Sequence, residues 1–492
     1  MKRRTVISSF FWRLAERCGA QLVTIIVSIV IARILSPNDF GTVALIIVFI
    51  NVLNVFIDCG LGNALVQKKD SDNIDFSTVF FLNIVFCSVL YAVLFFASPY
   101  ISSFFSNDTM TPMIRVLGLT LIISGIKNIQ CAYISKNMLF KNFFFSTLGG
   151  TIGAAVIGIA MAIMGFGTWA LIVQYLFNNA IDTLILWLTV RWRPIKKFSL
   201  QRLKKLFSFG WKLLVSGLID TIYNNLRSLL IGKFYSPTDL AAFDRGKNWP
   251  SAFVTNVNTS IDSVLFPTMS KSQNNHLELR SITRRAIKTS SYVMAPCLMG
   301  LAFISQPLVK LVLTEKWLIC VPFMVICCIT YMFYPIHTAN LNAIKALGRS
   351  DIFLKLEIIK KIVGLIALAV TVPISVMAMG YSMLFTSLAS QIINSWPNKK
   401  LLNYGYLEQL KDILPGILLA VAMGCCIYPI QWIGLPNIVT LCIQVPLGAA
   451  IYIAGSKLFK LESFEYLWGI VKPAIMRFLH RKSIKADEQE KK

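Results

Sequence analysis

Apolar positions in this chain fall in long, nearly uninterrupted runs, and the polar positions within them recur at helical rather than alternating spacing. Each run holds about 20 residues or more, enough to cross a hydrocarbon core about 30 Å thick as a helix. The pattern predicts fourteen membrane spans, near 14–35, 41–66, 76–104, 112–135, 143–165, 168–190, 206–232, 239–269, 287–313, 317–344, 352–375, 379–398, 412–432 and 436–457. Strands of a membrane barrel would be shorter and would alternate in polarity. The expected fold class is therefore an all-α polytopic membrane protein. No signal-peptide pattern with a small-residue cleavage site opens the chain, so the first span is expected to be retained.

Composition agrees: the chain is 56% hydrophobic and only 14% charged, where a soluble domain carries about a quarter charged residues. The net charge of +25 changes meaning once the basic residues are placed. Lys and Arg concentrate in alternate connections: the N-terminal arm (Lys2, Arg3, Arg4), the stretch near 191–205, the stretches 271–288, 345–361 and 399–411, and the tail after Lys457. The intervening connections hold one basic residue or none, which by the positive-inside rule puts both termini in the cytoplasm. The basicity is thus topology and contact with anionic lipid rather than a nucleic-acid footprint. Eleven cysteines lie mostly inside apolar spans without a C-x-x-C pair, and His276, His337 and His480 are scattered. No cofactor, metal site or disulfide framework is expected.

One four-residue pattern occurs twice. Ser36-Pro37-Asn38-Asp39 and Ser236-Pro237-Thr238-Asp239 stand 200 positions apart. Each reads as a helix start, with Ser as cap, Pro in the first turn and Asp reaching back. The flanks repeat as well. Trp12-Arg13 precedes the first copy and Trp211-Lys212 the second, and GFGTWAL (165–171) has a weaker counterpart in MGYSML (379–384). Six helices per half preserve orientation, so the halves are parallel repeats of the kind transporters use. The domains expected are an N-lobe over 1–190, a basic cytoplasmic linker over 191–205, and a C-lobe over 206–400. Helices thirteen and fourteen occupy 401–460 and a cytoplasmic tail 461–492, with ADEQEKK at its end read as disordered.

Charged and amide residues inside spans are costly and usually face a cavity or a partner. They concentrate in the helices that repeat. Helix seven carries Lys212, Ser216, Asp220, Asn224 and Arg227 at steps of 4, 4, 4 and 3, which places them on one face. Helix one shows Arg13, Arg17, Gln21, Thr24 and Ser28, and helix two Asn51, Asn54 and Asp58. Helix eight adds Asp244, Lys247, Ser251, Thr255, Asn258 and Asp262, with Arg245 alongside. Four such stripes are expected to line one aqueous cleft between two lobes. For Arg13, Arg17, Lys212 and Arg227, snorkelling to the interface competes with that reading; for Asp58 and Asp262, structural pairing does. Asp220 lies too deep for snorkelling. By contrast LGGTIGAAVIG (148–158) reads as close helix packing through small residues.

The stretches ARILSPNDFGTVAL (32–45), DCGLGNALVQKKD (58–70) and VLFPTMSK (264–271) resemble the Wzx-like repeat-unit flippases of bacterial polysaccharide synthesis. Those proteins belong to the multidrug, oligosaccharidyl-lipid and polysaccharide exporter superfamily. The resemblance covers about residues 1–400 and is nearest the branch serving colanic-acid-like exopolysaccharide and lipopolysaccharide synthesis. It implies two six-helix lobes forming a V around a central cavity, two further C-terminal helices, and no enzymatic activity. It also implies transfer of undecaprenyl-diphosphate-linked oligosaccharide across the inner membrane by alternating access. Cationic cavity residues at Arg13, Arg17, Lys212 and Arg227 fit that role by analogy. Asp58, Asp220 and Asp262 are candidates for coupling to H+ or Na+, and polysaccharide polymerase machinery is a candidate partner alongside membrane lipids. Two other readings are a small-molecule antiporter, expected to show an acidic cavity without compensating bases, and a glycan polymerase or ligase. The second is disfavoured by the shortness of the outer connections, the largest being FFSNDTMTP near 104–112.

Overall fold

The structure is a computed structural model that describes residues 3–58, 62, 65–66, 71–469 and 472–473. The side chains of 3–11, 13–18, 58, 204–210 and 212–213 lie outside that description, as does the tail segment ADEQEKK. Helices lie over each expected span, and no strand occurs among the described residues. In chain order they are α1 Arg3–Ile34, α2 Pro37–Asp58, α3 Asn73–Phe104, α4 Met110–Asn137, α5 Phe140–Ile163, α6 Thr168–Thr189, α7 Leu200–Phe234 and α8 Pro237–Lys271. The series continues with α9 His276–Phe303, α10 Ser305–Val312, α11 Val321–Met332, α12 Tyr334–Ala346, α13 Ser350–Thr371, α14 Val376–Leu402, α15 Tyr406–Ile427 and α16 Asn437–Leu458.

Among the described residues nine helices are long and apolar enough to cross a membrane, or ten when the bent pair α9–α10 is one span. The long helices α7, α8 and α13 fall short of that test, and the described apolar part of α1 is Gly19–Ile34. Of the three, α7 and α8 carry sequence stripes, and their polarity sets them apart. Two expected spans prove to be broken. The 287–313 span starts eleven residues early, at His276, and turns by 65° at Ile304 between α9 and α10. The 317–344 span consists of a 3-10 turn, Glu315–Cys320, followed by α11 and α12, which part at Phe333 with Pro335 in the first turn of α12. Likewise α1 and α7 extend past the apolar window on their N-terminal side, because a helix's own hydrogen bonds do not stop where hydropathy falls.

Contacts group the chain into two units, Met1–Ala241 and Ala242–Lys492. In the first, α5 lies closely on α6. A Cβ on Gly150 would meet Asp182 Cβ at 2.9 Å and the Asn178 carbonyl oxygen at 3.0 Å, so a larger residue there would force the helices apart. An apolar cluster of Phe76, Phe80, Ile129, Leu186, Val190 and Trp192 closes one end of this unit. It also holds the basic stretch after α6. Trp192 is buried, its carbonyl accepts from Gln130, and the Ile195 and Ser199 amides donate to Ser77 and Thr78 at 2.9 and 3.2 Å. Arg202 then reaches Asp72, the N-cap of α3, at 2.5 Å and Asp75 at 3.3 Å. The guanidinium holds the Asp72 carboxyl down at about 2.

In the second unit, α15 is fastened to α9 by a charge ladder: Arg280 to Glu408 at 3.2 Å, and Arg284 bidentate to Asp412 at 2.8 and 2.7 Å. Beside the ladder, Asn340, Ser395, Asn398 and Gln409 are fully buried and hydrogen-bonded to one another. Such buried amides are tolerated because they pair with one another, and of the four Asn398 leaves its oxygen, Oδ1, unpaired among the described residues. Tyr452 of α16 donates to the Tyr292 carbonyl at 3.0 Å and so joins the last helix to the same α9.

Candidate functional site

Both Ser-Pro-x-Asp turns are capping boxes. Ser36 Oγ donates to Asp39 Oδ2 at 2.6 Å, while the Ser36 and Asp39 amides donate to the opposite side chain at 3.0 and 3.3 Å. Ser236 and Asp239 repeat the arrangement at 2.7, 3.2 and 3.1 Å. The two turns also meet. A Cβ on Gly41 would sit 1.7 Å from the Pro237 carbonyl oxygen, a contact only glycine permits. Asp39 Oδ1 accepts from Thr168 Oγ1 at 2.7 Å, which ties the first turn to the start of α6, within the GFGTWAL stretch.

From these turns run the striped helices. On α1, Gln21 and Thr24 are exposed. On α2, Asn51 is exposed and Asn54 half-buried. On α7, Ser216, Asp220 and Asn224 are exposed and Arg227 is half-buried; neither Asp220 nor Arg227 is an unpartnered charge. The side chains of Arg13, Arg17, Asp58 and Lys212 lie outside the described residues. The first unit therefore presents amides and a carboxylate, on helices of a membrane chain, to space not filled by protein. No lipid tail can satisfy such groups.

On α8 the expected face is divided. Thr255, Asn256, Thr259, Ser260 and Ser263 are exposed, yet several turn back on their own helix: Thr259, Ser260 and Asn256 donate to carbonyls four residues earlier at 2.7–2.9 Å. Deeper contacts go to α12. Thr338 Oγ1 donates to Asn258 Oδ1 at 2.5 Å, and Asn342 Nδ2 donates to Asp262 Oδ1, one helical turn further on. Arg245 lies over the Trp317 ring, 5.2 Å from its centroid, and Lys247 is half-buried. Sequence periodicity located the α8 stripe but not its partners on α12. Thr338 and Asn342 are themselves one turn apart, 80 positions from Asn258 and Asp262, and that matched spacing is the signal in the sequence.

A second omission is larger. Lys127 on α4 and Asp182 on α6 form an ion pair at 2.5 Å, with the Asp182 side chain 7% exposed. Next to Lys127, Asn128 Nδ2 donates to the Ile57 carbonyl at the end of α2 at 3.0 Å. Among the described residues no three His, Cys, Asp or Glu side chains gather as a metal site.

With this geometry in hand, the relatives can be placed. The family model described as "Polysaccharide biosynthesis protein" matches residues 30–322. The chain is 24% identical over 412 residues to the teichuronic acid biosynthesis protein TuaB of Bacillus subtilis (strain 168), covering 81% of this chain and 84% of that one. It is 25% identical over 338 residues to the lipopolysaccharide biosynthesis protein WzxC of Escherichia coli (strain K12), covering 67% and 68%. Among solved structures, the lipid II flippase MurJ in an inward closed conformation aligns over 92% of this chain and 98% of its own, with a TM-score of 0.71 and 14% identity. An inward-facing multidrug resistance transporter of the MATE family aligns over 81% and 95%, with a TM-score of 0.61 and 14% identity. These likenesses establish the fold that the two solved transporters share. Matched over more than half its length, and built as a multi-pass helical membrane protein, the chain belongs to the polysaccharide biosynthesis protein family.

Proposed function

We propose that the protein moves a lipid-linked oligosaccharide across the bacterial cytoplasmic membrane, by alternating access, for the assembly of a surface or extracellular polysaccharide. The observation that carries the reading is the exposed hydrophilic face of a helix too polar to be surrounded by lipid: Ser216, Asp220 and Asn224 on α7. Hydroxyl and amide groups of this kind match a glycan. Cations at Arg13, Arg17, Lys212 and Arg227 would match its diphosphate, since guanidinium and ammonium groups bind phosphate oxygens by charge-assisted hydrogen bonds. The stripe from Lys212 to Arg227 spans 15 residues, roughly 22 Å of helix. The prenyl tail stays in the bilayer while the head follows the polar faces. The relatives TuaB and WzxC, named for teichuronic acid and lipopolysaccharide biosynthesis, support the class of cargo. Both termini face the cytoplasm in this reading, an ion gradient drives the cycle, and a polymerase receives the product outside.

Replacing Arg17, Lys212 or Arg227 by Ala is expected to reduce glycan export while the amount of protein in the membrane stays constant. Unimpaired export in all three variants would remove these residues from the path. A deletion strain that exports normally but becomes drug-sensitive would instead favour the antiporter reading.

A further inference from the structure

The polarity of α8 is not exhausted by the stripe expected on it. Between Lys247 and Lys271 the helix carries no Lys, Arg or His, and within 255–263 seven of nine side chains are hydroxyl, amide or carboxylate. The segment begins 18 residues after Pro237 and ends 8 before Lys271, so it belongs to the body of the helix and not to its ends. Polar side chains at that density are costly inside a membrane chain and point first to function.

Helical geometry sorts these residues into two faces. Asn258 and Asp262, one turn apart, face α12: Thr338 donates to Asn258 Oδ1 at 2.5 Å, and Asn342 donates to Asp262 Oδ1. Thr255, Asn256, Thr259, Ser260 and Ser263 fall roughly a third of a turn further round, and all five are exposed. Val254 and Leu265 are buried and mark the side of α8 turned into the protein. The two bonds from α12 hold the helix in this rotation. Of the exposed face, the sequence stripe included only Thr255.

Hydrogen bonds within the face decide what it can recognise. Asn256, Thr259 and Ser260 donate to the carbonyls of Ala252, Thr255 and Asn256, and Ser263 donates to that of Ser260 at 2.7 Å. A hydroxyl has one proton and two lone pairs, so once the proton is spent on the backbone the group offers only acceptor capacity. Asn256, with its Nδ2 on the backbone, keeps Oδ1 as an acceptor. The Asp262 carboxylate accepts only, and its hydrogen bond comes from an amide and not from a cation. A ligand for this face must therefore supply hydrogen-bond donors. A diphosphate supplies acceptors and negative charge, and would be repelled by Asp262. An organic cation would gather at the single carboxylate. The neutral acceptors are instead spread over 8 residue steps, roughly 12 Å of helix, as the hydroxyls of a glycan are spread along it.

We infer that the 255–263 face of α8 binds the sugar hydroxyls of the cargo and not its diphosphate. The inference rests on the transport reading above and deepens it, by assigning one part of the cargo head to one helix face of the second unit. Recognition there depends on the number of acceptors and not on any single side chain.

Purified full-length protein in detergent is titrated with two probes, undecaprenyl diphosphate and the same lipid carrying a glucose trisaccharide, with binding read by native mass spectrometry. The wild type is expected to hold the glycosylated lipid at least about tenfold more tightly, the worth of a few hydrogen bonds. The triple variant Thr259→Val, Ser260→Ala and Ser263→Ala is expected to lose that preference while its affinity for the bare lipid stays within about twofold, which also shows that it folds. If the triple variant does not fold, Ser260→Ala alone should lower the preference about threefold. Thr259→Ser, which keeps the hydroxyl, should retain the wild-type preference. A variant series that keeps the preference throughout, or that loses affinity for both lipids alike, overturns the inference. So does displacement of the glycosylated lipid by tetraphenylphosphonium from the wild type and not from the triple variant, because the face would then serve a cation. A wild type that binds both lipids equally overturns the inference and leaves the transport reading standing; one that binds neither overturns both.

Discussion

The two Ser-Pro-x-Asp turns carry the same cap and live in different surroundings. In both, Ser and Asp satisfy each other and the first amides of a helix. Beyond that they diverge. Asp39 uses its second oxygen to accept from Thr168, whereas among the described residues the second oxygen of Asp239 has no hydrogen-bond partner. Five residues after each Ser the chain has Gly41 in one copy and Ala241 in the other. Gly41 lies against the Pro237 backbone and Ala241 is buried with its methyl accommodated. A local motif can be copied by repetition, but two copies that touch each other cannot both keep the same neighbours. The repeat is thus symmetric in its cap hydrogen bonds and asymmetric in the contacts around them.

The largest effect should come from breaking that asymmetry. Gly41→Ala places a methyl on the Pro237 carbonyl and is expected to cost about 1–3 kcal/mol, as overpacking does. The reverse change, Ala241→Gly, is expected to cost no more than about 1 kcal/mol, from chain entropy. Thermal unfolding of the two variants in one detergent tests the order, and a milder Gly41→Ala would contradict the close contact. Next come the caps: Ser36→Ala and Ser236→Ala should each lose about 1 kcal/mol, and near-equality is the point of the comparison. Asp39→Ala should then exceed Asp239→Ala by about 0.5–1.5 kcal/mol, the worth of the extra hydrogen bond to Thr168. Thr168→Val should remove that difference, which a double-mutant cycle reads directly.

The smallest effect lies at the other end of the first unit and serves as a control. Asp72 is held at about 2 by Arg202, against an ordinary value of 3.8. Its ionised form is the one favoured by folding, so its contribution is complete above about pH 4 and is lost as pH falls toward about 2. Hydrogen exchange of the amides at Ile195 and Ser199 should quicken slightly over that window, and Asp72→Asn should abolish the dependence. Because the pair is partly exposed, solvent screens it and the change is small.

Much of this could be read along the chain. Runs of apolar residues located the helices, since burial of backbone in lipid leaves helices as the economical answer. Step sizes of four put Ser216, Asp220 and Asn224 on one exposed face of α7, because a helix imposes its own periodicity on its surface, whereas the stripe expected on α8 is only partly exposed. The 65° bend at Ile304 and the one-residue interruption of the helix at Phe333 were not legible from hydropathy, which does not register a break inside an apolar run. The partners of Asn258 and Asp262 were not legible either, because a stripe states which way residues point and not what stands opposite.

By itself, then, the order of residues determined that this is a multi-spanning helical chain, where its polar faces lie, and that each half opens its second helix with the same cap. These are properties of neighbours within about one helical turn, settled by backbone hydrogen bonding and by water against hydrocarbon. Only the tertiary structure decided that Lys127 meets Asp182 across 55 positions, that Gly41 presses on Pro237, and that the basic segment after α6 is fastened by Trp192 and Arg202. Those contacts depend on which helices pack side by side, a choice made by the shapes of whole faces and by small residues such as Gly150 that let two helices approach.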